Sequence, residues 1–126
     1  MSEDYGKYIE KYKDIFDYIK DYHTSELVDL MIQKRGNKKD AAKVAAAIAV
    51  RNGLKTIDPH TAYHAVRHHT DYLIEKTQKR LNDTSLSERE KKHKIACYCA
   101  AIAMRNGLKD DLPIIINIAF KVLKHI

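Results

Sequence analysis

The chain of 126 residues carries 23 Lys and Arg against 17 Asp and Glu, a formal net charge of +6, with only four Gly and two Pro. This length predicts one domain with a core large enough to fold without disulfide or metal. The longest apolar run, 95–104, is too short to cross a bilayer, and the acidic, polar start MSEDYGKY is not a secretory signal. We therefore expect a protein of the cytoplasm or of a virion, with no membrane span.

The charge is unevenly distributed along the chain. Residues 1–32 hold four Lys against eight Asp and Glu, a net charge of −4, which leaves +10 on the remainder. We accordingly divide the single domain, 1–126, into an acidic, Tyr-rich helical segment, 1–35, and a basic body, 36–126. A basic body indicates a polyanionic partner. The acidic segment is expected to pack against that body or against the body of a neighbouring copy.

The first helix is predicted to run from about Asp4 to Tyr22, because its apolar and aromatic residues recur at helical spacing on one face. Tyrosine carries a hydroxyl that prefers a polar partner, so this face suits a partly hydrated contact with the same domain or with another subunit. The stripe consists of Tyr5, Tyr8, Ile9, Tyr12, Ile15, Phe16 and Ile19.

Cap signals place the next two helices. Thr24 or Ser25 is predicted to begin the second helix, which ends at Gly36. Asn37 is predicted to cap a third, alanine-rich helix that runs to about Asn52. The following Gly-Leu, 53–54, predicts a Schellman turn, with the glycine in the left-handed conformation and the leucine folding back on the helix.

Similar signals mark the second half. Asp58-Pro59 is predicted to open a helix that reaches Leu81, and Ser87 with Glu90 forms a capping box for the next. That helix is predicted to end at Asn106 with the same Gly-Leu turn, and a final helix runs to Ile126. The final helix is apolar nearly all round, so we expect it at the centre of the bundle or in an oligomer interface.

The phrase AAAIAVRNGLK is nearly repeated as CAAIAMRNGLK, 54 residues later. At this offset residues 40–72 align without gaps on 94–126, with 12 of 33 positions identical, including the Gly and the Pro of the turn. Two copies favour a pseudo-symmetric bundle over a long solenoid. The sequence thus predicts an all-α bundle of five to six helices that contains a duplicated helix–turn–helix unit.

Basic residues gather where the two alanine-rich helices begin. Lysines at a helix start oppose the helix dipole unless they are solvated or an anion lies there, and a helix N-terminus is a natural phosphate site. Both a solvated surface and a phosphate-backbone contact fit this pattern. The candidate nucleic-acid-binding residues are Lys34, Arg35, Lys38, Lys39, Lys91, Lys92 and Lys94, supported by Arg51, Arg67 and Arg105.

The run HTAYHAVRHH places His60, His64 and His68 on one helical face. This spacing is compatible with metal binding, and Asp71 could add a third ligand to His64 and His68. The same face also reads as an ordinary polar surface or as part of a nucleic-acid contact. We predict no metal or other cofactor. Cys97 and Cys99 diverge by about 160° on a helix, which suits two small core residues of a reduced protein.

A helix-turn-helix that reads DNA bases is disfavoured, because the proline that follows each turn glycine comes six positions later, which is longer than the short turn of that motif allows. No phosphate loop, nucleophile elbow, zinc knuckle or acid pair is present in the sequence, so we expect no enzyme.

The leading hypothesis is a sequence-tolerant nucleic-acid-binding structural protein, a packaging, coat or filament-type component that acts in several copies. Double-stranded DNA is the expected partner, with self-association through the Tyr-rich N-terminal and apolar C-terminal helices. The alternative is a homo-oligomeric helical scaffold or adaptor that binds only protein.

Overall fold

The computed structural model describes residues 5–122, and every regular element among them is a helix. The predicted all-α class is thus confirmed, with eight α-helices among the described residues in place of the five or six expected. A segment with π-type hydrogen bonding, Met104–Leu108, follows α7, and Asn106 and Gly107 within it have non-helical backbone angles. The predicted first residue, Asp4, and last residue, Ile126, of the outer helices lie outside the described part. The helices are α1 Tyr5–Lys11, α2 Lys13–Asp21, α3 Thr24–Gln33, α4 Lys38–Arg51, α5 Pro59–Arg67, α6 Thr70–Leu81, α7 Glu88–Ala103 and α8 Leu112–Val122.

One additional helix arises because the predicted first helix is interrupted at Tyr12. The backbone of Tyr12 leaves the helical region, with φ −114° and ψ 28°, although its N–H still donates to the carbonyl of Tyr8 at 2.9 Å. The ring is buried and the hydroxyl donates to the carboxylate of Asp111. No Gly or Pro marks this break, and the contact that accompanies it lies 99 positions further along the chain.

The second interruption divides the helix predicted from Asp58 to Leu81. His68 and His69 are extended, with φ/ψ of −116°/146° and −76°/158°. Helix α5 therefore ends at Arg67, and one of its last carbonyl groups, that of Ala65, accepts a hydrogen bond from Nη1 of Arg105 at 3.0 Å. A tertiary contact thus stabilises a helix end that local propensity does not predict.

Three predicted caps are confirmed. Oδ1 of Asn37 accepts from the N–H of the third helical residue of α4 at 3.1 Å, and Oδ1 of Asp58 does the same for α5 at 2.8 Å. Ser87 accepts from the N–H of Glu90 at 3.2 Å and opens α7. Helix α3 differs from the prediction: its N-cap is His23, whose N–H donates to the carboxylate of the third helical residue at 2.9 Å.

The first glycine turn is the predicted Schellman motif. Gly53 has φ +95°, and the N–H of Leu54 donates to the carbonyl of Ala49 at 3.0 Å. The second turn shares the positive φ, +117° at Gly107, but the α-helix before it ends at Ala103, not at Asn106 as predicted. The hydrogen bond from the N–H of Leu54 to the carbonyl of Ala49 spans five positions, one more than in an α-helix. In the second turn this five-position spacing continues over Met104–Leu108.

Helices α4 and α7 form the centre of the bundle and run antiparallel, since the turn after each lies beside the beginning of the other. Helices α2 and α3 pack on α4, and α5 and α6 pack on α7. The alanine faces of the central pair are buried against each other, and because alanine is small the two helix axes can approach closely. None of the described helices is long and apolar enough to cross a membrane.

Both terminal segments bury apolar side chains within the chain itself. Ile15, Phe16 and Ile19 of α2 are buried against the bundle, and so are Ile115 and Ile118 of α8. Of the large apolar side chains that remain exposed among the described residues, three lie on α5 and α6, and one each lies on α1, after α2 and on α8. They are Ile9, Tyr22, Tyr63, Val66, Tyr72 and Phe120.

Candidate nucleic-acid interface

The antiparallel central pair creates a basic cleft at one of its ends. The turn that follows α4 faces the first half of α7, and the first cleft between them has a volume of about 350 Å³. Lys55 from the turn and Arg89, Lys92 and His93 from α7 line this first cleft, with Asp58 as its acidic residue. The hydrogen bond from the main-chain N–H of Thr61 lowers the pKa of Asp58 and thereby favours its charged form. The charges of Lys55, Arg89 and Lys92 therefore share the first cleft with one carboxylate.

A second basic cleft lies at the other end of the same pair. The turn that follows α7 faces the first half of α4, and the second cleft between them has a volume of about 470 Å³. Its basic residues are Lys11, Lys38, Lys39 and Lys43, and its acidic residue is Asp111.

The two clefts use residues that are 54 positions apart in the sequence. The turn residues Asn52, Gly53 and Leu54 line the first cleft, and Asn106, Gly107 and Leu108 line the second. On the facing helices Lys92 corresponds to Lys38, and His93 to Lys39. The two RNGLK phrases therefore occupy the same place in two separate clefts, each opposite the basic helix start of the other half.

Charge is already partly compensated in the second cleft. Lys11 lies 3.3 Å from Asp111, and Lys43 lies 3.9 Å from Asp14. The hydroxyl of Tyr12 donates to Asp111 and lowers the pKa of that carboxyl, to which Lys11 adds a smaller effect. Lys38 and Lys39 are exposed at the first two positions of α4, where the main-chain N–H groups of the helix start also point outward. These two lysines are the residues of this cleft best placed to meet an anion.

Only some of the predicted binding residues come together. Lys38, Lys39 and Lys92 line the clefts, while Lys34 and Arg35 lie in the loop before α4 and outside both clefts. Lys91 lies 3.4 Å from Glu88 on its own helix, Lys94 is half-buried, and Arg67 is exposed at the end of α5.

The two arginines of the repeated phrase have a structural role that the sequence pattern does not predict. Arg51 Nη1 donates to the carbonyl of Ile19 at 2.6 Å, and its Nη2 lies 3.4 Å from Nδ1 of His23. Arg105 contacts Ala65 and His69 in the same way. Each guanidinium therefore ties a central helix to the end of an outer one.

Four basic residues of the clefts were absent from the predicted set: Lys11, Lys43, Lys55 and Arg89. Lys55 belongs to the repeated phrase, so the repeat itself is a signal for it. No local sequence pattern predicts that Arg89 and Lys43 line a cleft, because their position there depends on the antiparallel packing of two helices that are distant in sequence.

The histidine run differs from its predicted arrangement. His60 and His64 lie on successive turns of α5 with their Nε2 atoms 3.1 Å apart. His68 falls beyond the helix, and its ring stacks on that of Tyr72 with 4.3 Å between centroids, so the candidate metal ligands His64, His68 and Asp71 are not assembled into one site. Within the described residues, no group of three or more His, Cys, Asp or Glu is arranged to hold a metal ion.

Both cysteines are buried free thiols, as expected for small core residues. Burial raises the pKa of Cys99 to about 12, and burial also raises the pKa of Cys97, whose Sγ lies 3.8 Å from Nε2 of His93. Both sulfur atoms are therefore protonated at neutral pH, which disfavours a nucleophilic role.

Comparison with protein-family models, with curated proteins and with solved structures gave no match.

Proposed function

We propose that the protein is a sequence-tolerant nucleic-acid-binding structural protein that uses its two basic clefts to hold phosphate groups. The observation that carries the proposal is the recurrence of one arrangement, a glycine turn opposite a lysine-bearing helix start, at both ends of the central helix pair. A duplicated fold repeats the turn in any case. Phosphate binding is supported by the exposed basic side chains that line both copies, which are Lys55, Arg89 and Lys92 in the first cleft and Lys38 and Lys39 in the second.

The spacing of the clefts fits a repeating polyanion. Helix α4 has 14 residues, so its two ends, and with them the two clefts, are separated by about 21 Å. Phosphates recur every ~3.4 Å of axial rise along each strand of a duplex, so one duplex can offer a phosphate to each cleft. A single chain would then contact the same duplex twice, and copies along the duplex would form a coat or filament.

The same contacts support an internal duplication as the origin of the two clefts. The arginine pairs Arg51–Ile19 and Arg105–Ala65 connect equivalent helices in each half. His23-Thr24 and His69-Thr70 occupy corresponding helix junctions, and each threonine hydroxyl contacts an asparagine side chain, Asn52 or Asn106, at 3.1 Å. We infer that the repeated unit is larger than the duplicated helix–turn–helix and includes the two outer helices before each central helix, α2 and α3 in one half and α5 and α6 in the other.

Binding would occur through neutralisation of phosphates, with release of condensed counterions from the nucleic acid. Lys38 and Lys39 would act in the second cleft, and Lys55, Arg89 and Lys92 in the first. Seven residues, 52–58, separate α4 from α5, so this pair does not form the short turn that presents a recognition helix to the major groove. We therefore propose contacts to the backbone and not to base edges, and no enzymatic activity.

The test is a titration of the protein with duplexes of equal length and different sequence, over about 50–200 mM salt. We expect equal affinities for the different sequences and a decrease in log K with log salt of about 0.9 for each phosphate contacted. Strong preference for one sequence, or an affinity that does not change with salt, would contradict this function. A single-stranded RNA and a double-stranded DNA of equal charge identify the preferred nucleic acid.

A homo-oligomeric scaffold is the second candidate, and exposed apolar side chains favour it. Tyr63 and Val66 lie one turn apart on α5 and remain 54% and 84% exposed. Asp21, exposed at the end of α2, supplies negative charge that a basic cleft of another copy complements, whereas Asp14 already lies 3.9 Å from Lys43 of its own chain. Particle size measured with and without DNA separates the two functions, since a scaffold forms the same oligomer in both conditions.

A further inference from the structure

The side chains of His60 and His64 are directed at each other on the surface of α5. Their Nε2 atoms are 3.1 Å apart, their ring centroids are 4.5 Å apart, and the ring planes are inclined by 78°. Two imidazole nitrogens approach this closely only when a proton or a cation lies between them, because two lone pairs otherwise repel.

The separation matches the geometry of two histidines that share one transition-metal ion. A Zn–N distance of about 2.0–2.1 Å places two ligand nitrogens about 3.3–3.4 Å apart at a tetrahedral angle and about 2.9 Å apart at a right angle. The observed 3.1 Å lies between these values. An N–H···N hydrogen bond is the other arrangement that fits, and the experiment below separates the two.

The surroundings hold His64 in place and leave His60 accessible. The ring of His64 is half-buried, edge-on to Tyr98 at 5.5 Å, whereas His60 is exposed. Burial, together with the neighbouring His60 and His68, lowers the pKa of His64. Asp58 adds negative potential at this ring and Lys94 adds positive potential.

We propose that His60 and His64 together bind one divalent transition-metal ion of the zinc, nickel and copper class through their Nε2 atoms. These ions prefer imidazole ligands, whereas Mg²⁺ and Ca²⁺ prefer oxygen. Two protein ligands leave the other coordination positions open to water. The site is separate from the phosphate-binding function, because neither histidine lines a basic cleft.

The probe is Zn²⁺, titrated calorimetrically into untagged protein that has been freed of metal with a chelator, with Mg²⁺ as the control ion. We expect one Zn²⁺ per chain, no binding of Mg²⁺, and selective shifts of the imidazole resonances of His60 and His64 in NMR spectra. Replacing either ligand, as His60→Ala or His64→Ala, should weaken Zn²⁺ binding at least about tenfold, since even the loss of an outer-shell partner costs that much. His23→Ala, which removes another exposed histidine, is the matched control and should leave Zn²⁺ binding unchanged.

Unchanged Zn²⁺ affinity in the His60→Ala variant would overturn the proposal, and so would the absence of one-to-one binding in the wild-type chain. His60 is exposed, so its removal leaves the core intact, and a far-ultraviolet circular dichroism spectrum verifies this. If Zn²⁺ binds weakly at several places and His23→Ala affects it as much as His60→Ala, the histidine contact is a hydrogen bond and the proposal is wrong.

Discussion

Arg105 donates a hydrogen bond from Nη1 to the main-chain carbonyl of Ala65, 3.0 Å away and 40 positions earlier in the chain. Arg51 makes the equivalent bond to Ile19, at 2.6 Å. In each case the acceptor is a carbonyl near the C-terminus of an outer helix, where carbonyl groups lack helical partners and positive charge is favoured. The repeated arginine of RNGLK is thus a helix cap supplied from a distant part of the chain.

Replacing Arg105 with alanine should lower the free energy of unfolding by about 1–2 kcal/mol, because the carbonyl of Ala65 loses a charged donor. Chemical denaturation measures the change. Arg67→Ala is the control, since this exposed residue also lies at the end of α5, and its removal should change the free energy of unfolding by no more than about 0.5 kcal/mol. Equal stabilities of the two variants would show that the cap contributes nothing.

The two turn glycines should be sensitive to substitution because both have positive φ, +95° at Gly53 and +117° at Gly107. A Cβ would meet no atom within 4 Å at either position, so the cost of Gly→Ala comes from the backbone. We expect Gly53→Ala and Gly107→Ala each to lower the free energy of unfolding by about 1–2 kcal/mol. Gly36→Ala is the matched control: it also meets open space and lacks a positive φ, so thermal unfolding should detect little change.

The contact between Tyr12 and Asp111 should make stability depend on pH in the acid range. The pKa of Asp111 is lowered, chiefly by the hydrogen bond from Tyr12, so the carboxylate stabilises the fold above its ordinary pKa and loses this effect as the pH falls through its lowered pKa. Tyr12→Phe should cost about 1 kcal/mol near neutral pH. Denaturation of both proteins over a pH series should show this difference shrinking in acid, and a constant difference would exclude the carboxylate as its source.

Local signals in the sequence were sufficient for three helix starts and for one turn. Asn37, Asp58 and Ser87 cap the helices that they were predicted to cap, since each needs only the N–H groups of the next turn. Gly53 likewise forms its turn from residues within one helix. These features depend on contacts over three to five positions, which a sequence pattern records directly.

The breaks and the clefts depend instead on distant residues. Nothing within a few positions of Tyr12 or His68 disfavours a helix, and the contacts that accompany these breaks involve Asp111 and Arg105. The lysines were predicted to gather at the ends of the alanine-rich helices opposite to RNGLK. Within each helix the lysines and RNGLK do lie at opposite ends, but the antiparallel packing of α4 and α7 brings Lys38 of α4 beside Gly107 in the turn after α7. The basic helix starts and the RNGLK turns were predicted at separate places, whereas in the structure each cleft combines one basic helix start with the turn of the other central helix.

The central claim is that both clefts hold phosphates of the same nucleic acid, and charge reversal in each cleft tests it. Lys38→Glu with Lys39→Glu alters the second cleft, and Lys55→Glu with Lys92→Glu alters the first. Lys20→Glu with Lys79→Glu changes the net charge equally at exposed positions outside both clefts, and circular dichroism verifies the fold of all three variants.

The decisive measurement is the slope of log K against log salt for one DNA duplex with the wild-type chain and with these three variants. We expect each cleft variant to lose about 0.9 of slope for every phosphate contact removed, while the control variant keeps the wild-type slope. Cleft variants that weaken binding no more than the control does, with an unchanged slope, would contradict phosphate binding in the clefts.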